Sequence, residues 1–295
     1  MIDGFERTMI NCGEVNLSVH RAGQGTPLIL LHGFPQNHRT WAKVAPEFAA
    51  HFDTIIPDLR GYGDSDAPTD NLENTTYSKR RMAADLVGMM DRLGLDRAHI
   101  LGHDRGARVA YRFALDHPDR IDRLGIIEIM PTGDYWRAWT ADLAMKSYHW
   151  TFLAQPAPLP ERMIGADPDA YLEWTLRHWT MARSLACFPP ESMADYRRQM
   201  ADPARLHAMC ADYRAGAGID RQIDDSDRAA GARIRAPLAF LWSEHGFPAK
   251  AGDPLGIWNK WAVDVTGQSC QAGHFVMEEN PAAVTSVFLP HFMTR

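Results

Sequence analysis

Short apolar runs alternate with amphipathic helical patterns along most of this sequence, and that alternation limits the possible folds more than any other feature. Runs too short for helices and bounded by turn residues predict strands at 15–21, 27–31, 53–57, 98–101, 124–130, 236–242 and 268–272. Helical spacing predicts helices at 78–93, 109–117 and 281–293. Strands and helices in this order predict an α/β fold, with a mostly parallel sheet covered by helices on both faces.

The alternation stops between residues 134 and 218, where no buried-strand pattern occurs. This segment has helical stretches separated by prolines and holds five of the nine tryptophans: Trp136, Trp139, Trp150, Trp174 and Trp179. We interpret it as a helical cap (134–221) inserted into a sheet domain formed by 1–133 and 222–295. Ligands of open α/β sheets bind beyond the carboxyl ends of the strands. An insertion there is a candidate lid.

Composition excludes several classes of protein. The chain has 295 residues, 45% of them hydrophobic, and a net charge of −6, which argues against a nucleic-acid surface. Its longest apolar runs are far shorter than the roughly 20 residues of a membrane helix, and its first residues lack the pattern of a secretory signal. The cysteines lack metal-site or disulfide spacing and stand at positions 12, 187, 210 and 270. We therefore expect a cytoplasmic protein with reduced thiols that binds neither nucleic acid nor membrane.

The most informative motif is GHDRG at 102–106, between a predicted strand and a predicted helix. It has the form of the G-x-S-x-G nucleophile elbow, with Asp104 in place of serine. The positive end of the helix dipole stabilises an anion, so we expect the Asp104 carboxylate to stay ionised. The alternative interpretation is an ordinary turn in which Asp104 caps the helix.

Two other segments favour the elbow. HGFP at 32–35 follows a predicted strand, where a loop can donate an oxyanion-hole amide, although alone it would be a plain turn. AGHF at 272–275 follows the last predicted strand and brings His274 last in chain order, as in enzymes with nucleophile, acid and histidine in that sequence. A lone histidine is more often a surface or core residue, and the chain order is what favours a catalytic base.

The acid that orients this histidine has two candidates. Glu128 lies in an otherwise apolar predicted strand, where an unpaired carboxylate is costly to bury. Orienting the imidazole of His274 would explain its presence. Glu244, after the next predicted strand, is the competing acid, and Glu128 is preferred.

A carboxylate nucleophile implies displacement at saturated carbon rather than acyl transfer. Attack would give an alkyl ester of Asp104, and a histidine-activated water would then hydrolyse that ester. Carbon–halogen cleavage and epoxide opening are the reactions that fit. Arg105 and Arg108 lie three residues apart on the first helical turn and can form a fork for a substrate carboxylate. The alternative is that one of them pairs with a surface acid.

With these motifs the chain resembles the fluoroacetate (haloacetate) dehalogenases of the α/β-hydrolase superfamily over nearly its whole length. The matching segments are HGFPQ (32–36), DLRGYGDS (58–65), GHDRGAR (102–108), YHW (148–150), FLAQP (152–156), DYRA (212–215) and GHF (273–275). The first two and the last are shared widely in the superfamily. The elbow with two arginines and the cap motifs are much more specific.

The resemblance implies an α/β-hydrolase fold, a homodimer and a role for each site residue. Asp104 would be the nucleophile and His274 the base, while Arg105 and Arg108 would hold the substrate carboxylate. The remaining implied roles are halide binding by His149, Trp150 and Tyr213, and an oxyanion hole formed by the backbone amides of Phe34 and Arg105. Relatives usually carry aspartate where this chain has Glu128, whose extra methylene changes the reach to the histidine.

The sequence therefore predicts a hydrolytic dehalogenase of short 2-halocarboxylic acids, converting haloacetate and water to glycolate and halide. Its predicted partner is the small haloacid substrate, and carboxylate, imidazole and water suffice without metal or cofactor. An epoxide hydrolase is the first alternative, but such enzymes typically have tryptophan where Arg105 stands and two cap tyrosines. Haloalkane dehalogenases bind uncharged substrates, which the two arginines would obstruct. A non-catalytic receptor for a small carboxylate is the second alternative.

Overall fold

An eight-stranded sheet lies at the centre of the computed structural model, which describes residues 2–294. The strands are β1 (Glu6–Asn11), β2 (Asn16–Ala22), β3 (Pro27–Leu31), β4 (Asp53–Pro57), β5 (Ala98–His103), β6 (Ile121–Ile127), β7 (Leu238–Ser243) and β8 (Val265–Cys270). Their spatial order is β1-β2-β4-β3-β5-β6-β7-β8. β2 is antiparallel to both β1 and β4, and every other neighbouring pair is parallel. The predicted mostly parallel α/β sheet is confirmed.

Helices occupy the connections between these strands. Before β6 lie α1 (Ala45–Ala49), α2 (Lys79–Arg92) and α3 (Asp104–Asp116), with 3-10 helices at His38–Trp41 and Pro118–Arg120. Between β6 and β7 lie α4 (Thr132–Arg137), α5 (Ala141–Lys146), α6 (Tyr148–Leu153), α7 (Leu159–Gly165), α8 (Pro168–Trp179), α9 (Pro190–Ala201), α10 (Pro203–Ala217) and α11 (Ile219–Ala229). After β7 lie α12 (Phe247–Lys250), α13 (Pro254–Trp258), α14 (Val276–Glu279) and α15 (Pro281–Met293).

Apolar clusters cover both faces of the sheet. Leu86 of α2 and Val109 of α3 belong to one buried cluster, and Phe48 of α1 and Phe288 of α15 belong to the other. Burying each such side chain contributes about 1.5–3 kcal/mol, so the two layers fix the sheet between them. No helix of the described chain is both long and apolar enough to cross a membrane.

The segment between β6 and β7 consists of eight helices and their connections and contains no strand, as the sequence predicts for residues 134–218. Helix α10 is at the centre of this group and contacts α6, α7, α9 and α11. We call residues 132–229 the cap. The boundaries that the sequence predicts for the two domains remain a prediction.

Three of the differences from the sequence prediction have a clear physical reason. β5 continues to His103 and α3 begins at Asp104, not at 109, because the polar side chains of this turn are buried and mask the apolar periodicity. β6 ends at Ile127, where Glu128 adopts a φ of 57° and turns the chain away from the sheet. β1 was not predicted, because five of its six residues are exposed on an edge strand.

The close approach of α3 to β3 depends on Gly106. A Cβ at this position would overlap the backbone of Leu31 and His32. We therefore expect Gly106→Ala to destabilise the protein by about 3 kcal/mol, since the helix must move away from the sheet. Urea unfolding measures this loss.

Gly165→Ala is the matched control, because a Cβ there meets only the Leu206 side chain at 3.9 Å, an ordinary contact. It should be neutral or slightly stabilising. Equal losses in the two variants would contradict the packing argument.

Candidate active site

Asp104 occupies the sharp turn from β5 into α3. Its backbone φ is 47°, a left-handed conformation that costs a non-glycine residue of the order of 1–3 kcal/mol. The side chain is buried, and its Oδ1 accepts a hydrogen bond of 2.9 Å from the amide of Phe34. A Cβ at Gly33 would lie 2.7 Å from this oxygen and 2.9 Å from the amide nitrogen of Arg105. The missing side chain at Gly33 therefore leaves the carboxylate beside both predicted oxyanion-hole amides.

His274 faces the other carboxylate oxygen, with Nε2 3.7 Å from Oδ2 of Asp104. Its backbone is held by residues that sequence reasoning missed. The amide donates to the carbonyl of Trp179 at 2.8 Å, and the carbonyl lies 2.8 Å from Nε2 of His103. Glu279 accepts hydrogen bonds from the amides on either side of His274, at 3.0 and 3.1 Å. Only His103 had a sequence signal, because it lies inside the elbow motif.

The charges around the elbow oppose the effect of burial on Asp104. Burial raises the pKa of Asp104, but His274, His103, Arg105 and Arg108 together lower it below the usual value. Burial lowers the pKa of His274, which Asp104 partly offsets. An ionised carboxylate and a neutral imidazole therefore face each other at neutral pH.

Glu128 and Glu244 lie in very different places. Glu128 is buried and lines the same cavity as His274, and its Oε2 accepts a hydrogen bond of 2.6 Å from the amide of Ser243. Burial raises its pKa to about 8, although backbone amides oppose the shift. Glu244 is exposed and accepts hydrogen bonds from Ser269 and Gln271 on the β8 side. Among the described residues, neither carboxylate has a hydrogen bond to His274.

The two arginines are both buried but differ in their partners. Arg108 lines the cavity, and its Nη1 donates to the carbonyl of Met130 at 2.9 Å and to Thr132 Oγ1 at 3.0 Å. Arg105 lies behind the cavity wall, where it pairs with Asp212 of the cap. Burial lowers the pKa of Arg105, but the Asp212 carboxylate more than restores it.

Asp212 is a further residue that sequence reasoning did not single out for a role, although it begins the DYRA motif. It is fully buried and pairs with Arg105 and Lys79, and it accepts a hydrogen bond of 2.9 Å from Tyr62. Three elements of the sheet domain thus meet one carboxylate of α10. No sequence pattern predicts this pairing, since it joins residues more than a hundred positions apart.

The predicted halide-binding residues form one aromatic group. The ring of Tyr213 lies 5.7 Å from that of His149 and 5.9 Å from that of Trp150. Both arginines stack on this group, with the guanidinium carbon of Arg105 4.4 Å from the Tyr213 ring and that of Arg108 4.5 Å from the Trp150 ring. Positive charge therefore lies directly against these rings.

Several polar atoms of the site are buried without a hydrogen-bond partner among the described residues. They are Arg105 Nη1, Arg108 Nε, His149 Nδ1, Tyr213 Oη and His274 Nε2. Buried polar groups nearly always have partners, so such a group is a place where a ligand can bind. All five atoms belong to residues that the sequence assigns to the site.

A cavity of about 710 Å³ joins the Asp104 end of this site to solvent. Asp104, Arg108, Glu128, Trp150 and His274 line it, together with His149. Arg105 and Tyr213 lie behind this lining. The arrangement brings together an ionised carboxylate, a neutral imidazole and buried hydrogen-bond donors. These are the groups that displacement followed by ester hydrolysis requires.

One group of side chains elsewhere has metal-ligand composition. His20, His38 and Asp58 are buried, with their donor atoms within 4.8 Å of one another. His38 Nδ1 is committed to Asp58 at 2.9 Å, and the two imidazole rings stack 3.7 Å apart. The in-plane lone pairs of stacked rings run parallel and do not converge on one ion. None of these residues lines the cavity.

Comparison with known proteins agrees with this geometry. The alpha/beta hydrolase fold family matches residues 26–281. The chain is 39% identical to a fluoroacetate dehalogenase from Burkholderia sp. over 95% of its own length and 91% of that protein. It is 32% identical to a soluble epoxide hydrolase from Corynebacterium sp. (strain C12), over 92% of this chain and 91% of the other. A solved alpha/beta hydrolase from Nostoc sp. PCC 7120 superposes with a TM-score of 0.95 at 42% identity, covering all of both chains.

The chain therefore belongs to the alpha/beta hydrolase fold family, and it is a hydrolase. Within that family, the match over nearly its whole length confirms the predicted resemblance to the fluoroacetate dehalogenases.

The buried Asp212 pairs yield a test of stability. Asp212→Ala would leave the cations of Arg105 and Lys79 buried without their carboxylate, which typically costs about 3–5 kcal/mol. We expect a loss of that size in the free energy of unfolding, measured with urea.

Asp91→Ala serves as the control, because it removes a half-exposed partner of Arg120 on the surface of α2. Such a pair contributes at most about 1 kcal/mol. Losses below 1 kcal/mol in both variants would mean that the buried pairs do not stabilise the fold.

Proposed function

We propose that this protein is a hydrolytic dehalogenase of short 2-halocarboxylic acids, with haloacetate and water giving glycolate, halide and a proton. The convergence of buried, unpartnered donors on an ionised Asp104 is the observation that carries the proposal. This group of side chains supplies two guanidinium N–H groups that can bind a carboxylate, ring and hydroxyl donors that can bind an anion, and a histidine nitrogen beside the nucleophile. A displacement that binds one anion and releases another needs this set.

In the first step an oxygen of Asp104 attacks C2 of the haloacid from the side opposite the halogen. The new C–O bond forms as the carbon–halogen bond breaks, and the electron pair leaves with the halide. Arg105 Nη1 and Arg108 Nε hold the substrate carboxylate during this step. Fixing the reactants in this way lowers the barrier because the orientation is established on binding.

The departing halide is stabilised by His149, Trp150 and Tyr213. Fluoride is a small and strongly hydrated ion, so N–H and O–H donors must replace its water as charge develops. Burial lowers the pKa of His149 to about 3, which keeps its imidazole neutral. Positive charge at the aromatic group comes instead from the stacked guanidinium groups.

In the second step His274 takes a proton from water, and the water oxygen adds to Cγ of the Asp104 ester. The amides of Phe34 and Arg105 form the oxyanion hole for the resulting tetrahedral intermediate. Its collapse releases glycolate, whose oxygen takes the proton back from His274, and the remaining hydroxyl proton passes to solvent. The carboxylate is regenerated with one oxygen now derived from water. The neutral state of His274 at neutral pH suits it to this step.

Epoxide hydrolysis is the second candidate. It is favoured by the buried Tyr213 hydroxyl, which has no hydrogen-bond partner within residues 2–294 and could protonate an oxide. Epoxide hydrolases also occur among the relatives. Against it stand two buried arginines beside the nucleophile, since a neutral epoxide leaves their free N–H groups unsatisfied. The dehalogenase therefore fits better.

On the same resemblance we propose a homodimer located in the cytoplasm. The cysteines at 12, 187, 210 and 270 are unpaired, which suits a reducing compartment. A monomer in sedimentation equilibrium would contradict the first statement, and export of the native protein would contradict the second.

Halide release from fluoroacetate and chloroacetate, supplied separately, tests the proposal directly. We expect release from chloroacetate, with one glycolate per halide, and loss of at least a thousandfold in Asp104→Asn because the amide is not a nucleophile. Hydrolysis in labelled water should place the label in Asp104 after one turnover. Turnover of styrene oxide but not of chloroacetate would instead support the epoxide hydrolase.

The pKa of Glu128 predicts a pH dependence. We assign the acid of the histidine to Glu128, which would assist the imidazolium only when ionised, so ester hydrolysis should accelerate as pH rises through about 8. Rapid-quench analysis of the alkyl-enzyme measures that step. In Glu128→Gln the acceleration should vanish and the alkyl-enzyme should accumulate.

Glu244→Gln is the matched control and should behave as wild type, since Glu244 is exposed and lies outside the cavity lining. An alkyl-enzyme that accumulates in this variant but not in Glu128→Gln would transfer the role to Glu244.

A further inference from the structure

The opening of the cavity carries a charge opposite to that of the whole chain. Three exposed basic side chains line it: Lys146, Arg183 and Lys250. The acidic residues in the lining, Asp104 and Glu128, are both buried deeper in the cavity. In a chain with a net charge of −6, an opening lined by cations alone requires an explanation.

These cations come from three separate elements. Lys146 ends α5, Lys250 ends α12, and Arg183 follows α8 with a left-handed φ of 52°. In residues 2–294, the side chains of Lys146 and Lys250 have no hydrogen bond or ion pair, and the side chain of Arg183 donates only to the carbonyl of His178. Burial, followed by the charge of Lys146, lowers the pKa of Lys250; Glu128 opposes this shift and Arg183 adds to it, so both other cations repel Lys250. An anion bound between them would relieve this repulsion.

The size of the cavity also indicates a ligand that extends to these cations. Its volume of about 710 Å³ lies in the range of roughly 300–1,000 Å³ that encloses a drug-sized ligand. A two-carbon haloacid would occupy only the inner part, around Asp104 and Arg108. Much of the remaining lining is apolar, with Leu143, Tyr148, Trp174, Met181 and Phe247. A methylene chain fits such a wall.

We propose that the substrates this site prefers are 2-halo dicarboxylic acids, whose second carboxylate is bound by Lys146, Arg183 and Lys250. This inference rests on the proposed function for the reaction at C2 and adds the substrate class. The halogen-bearing end lies at Asp104, the chain follows the apolar wall, and the far carboxylate lies at the opening. Asp104 supplies the hydroxyl oxygen of the product, a 2-hydroxy dicarboxylic acid, and water replaces that oxygen in the carboxylate, while the carbon–halogen electron pair leaves with the halide.

The test compares dicarboxylic and monocarboxylic substrates of equal chain length. The pairs are 2-chlorosuccinate with 2-chlorobutanoate, 2-chloroglutarate with 2-chloropentanoate, and 2-chloroadipate with 2-chlorohexanoate. We expect kcat/KM to favour the dicarboxylic member at least fivefold at the best length, and added salt to reduce that ratio. Replacing all three cations (Lys146→Met, Arg183→Met, Lys250→Met) should lower the ratio at least fivefold, towards one, since each partly solvated charge pair contributes a factor of roughly two.

Lys260→Met is the control, because Lys260 is an exposed cation that does not line the cavity. It should leave the ratio unchanged. The inference is overturned by a ratio near one at every length, by a ratio that survives the triple replacement, or by an equal fall in Lys260→Met.

A binding measurement separates failure of this inference from failure of the proposed reaction. If the wild type releases no halide from any chloroacid, the reaction is wrong, and calorimetry with unreactive acids still tests the opening. Succinate, glutarate or adipate should then bind more tightly than the monocarboxylate of equal length. Equal affinities in all three pairs would overturn the assignment of the cations.

Discussion

The rest of the site depends on keeping the Asp104 carboxylate ionised inside a buried cavity. Desolvation alone would protonate it, so the fold surrounds it with positive charge and a donated backbone amide. The strained turn at Asp104 presents the carboxylate between β3 and the loop that carries His274. In the proposed reaction the same cations would also bind the incoming acid, so that one arrangement would both activate the nucleophile and attract the substrate.

Those cations must themselves be made compatible with burial. Arg105 is neutralised by Asp212 from the cap, while Arg108 has only neutral hydrogen-bond partners and a lowered pKa caused by burial and by Arg105. Arg108 is thus the guanidinium with the larger unmet demand for an anion, and it is the one that lines the cavity. The two arginines look equivalent in the sequence but differ in this respect.

The sequence predicts those parts of this arrangement that depend on local motifs. The α/β sheet, the Asp104 elbow and the position of His274 after the last strand follow from patterns of a few residues. What the sequence does not reveal depends on contacts between distant segments: the Asp212 pairs, the Glu279 hydrogen bonds and the cations at the opening. The boundary of α3 was missed because Arg105 and Arg108 are buried charges, which hydropathy patterns assign to solvent.

The Asp212 pairs have a consequence for how ligands enter. Asp212 in α10 pairs with Lys79 of α2 and Arg105 of α3. Asp220 of α11 accepts a hydrogen bond of 2.8 Å from the backbone amide of Lys79. Lifting the cap off the sheet would leave buried charges without their partners on both sides. The free-energy cost of that separation is several kcal/mol. The cap is therefore held in a fixed position over the sheet domain. In the proposed reaction, acid, water and halide would therefore exchange through the cavity opening without a hinge motion of the cap.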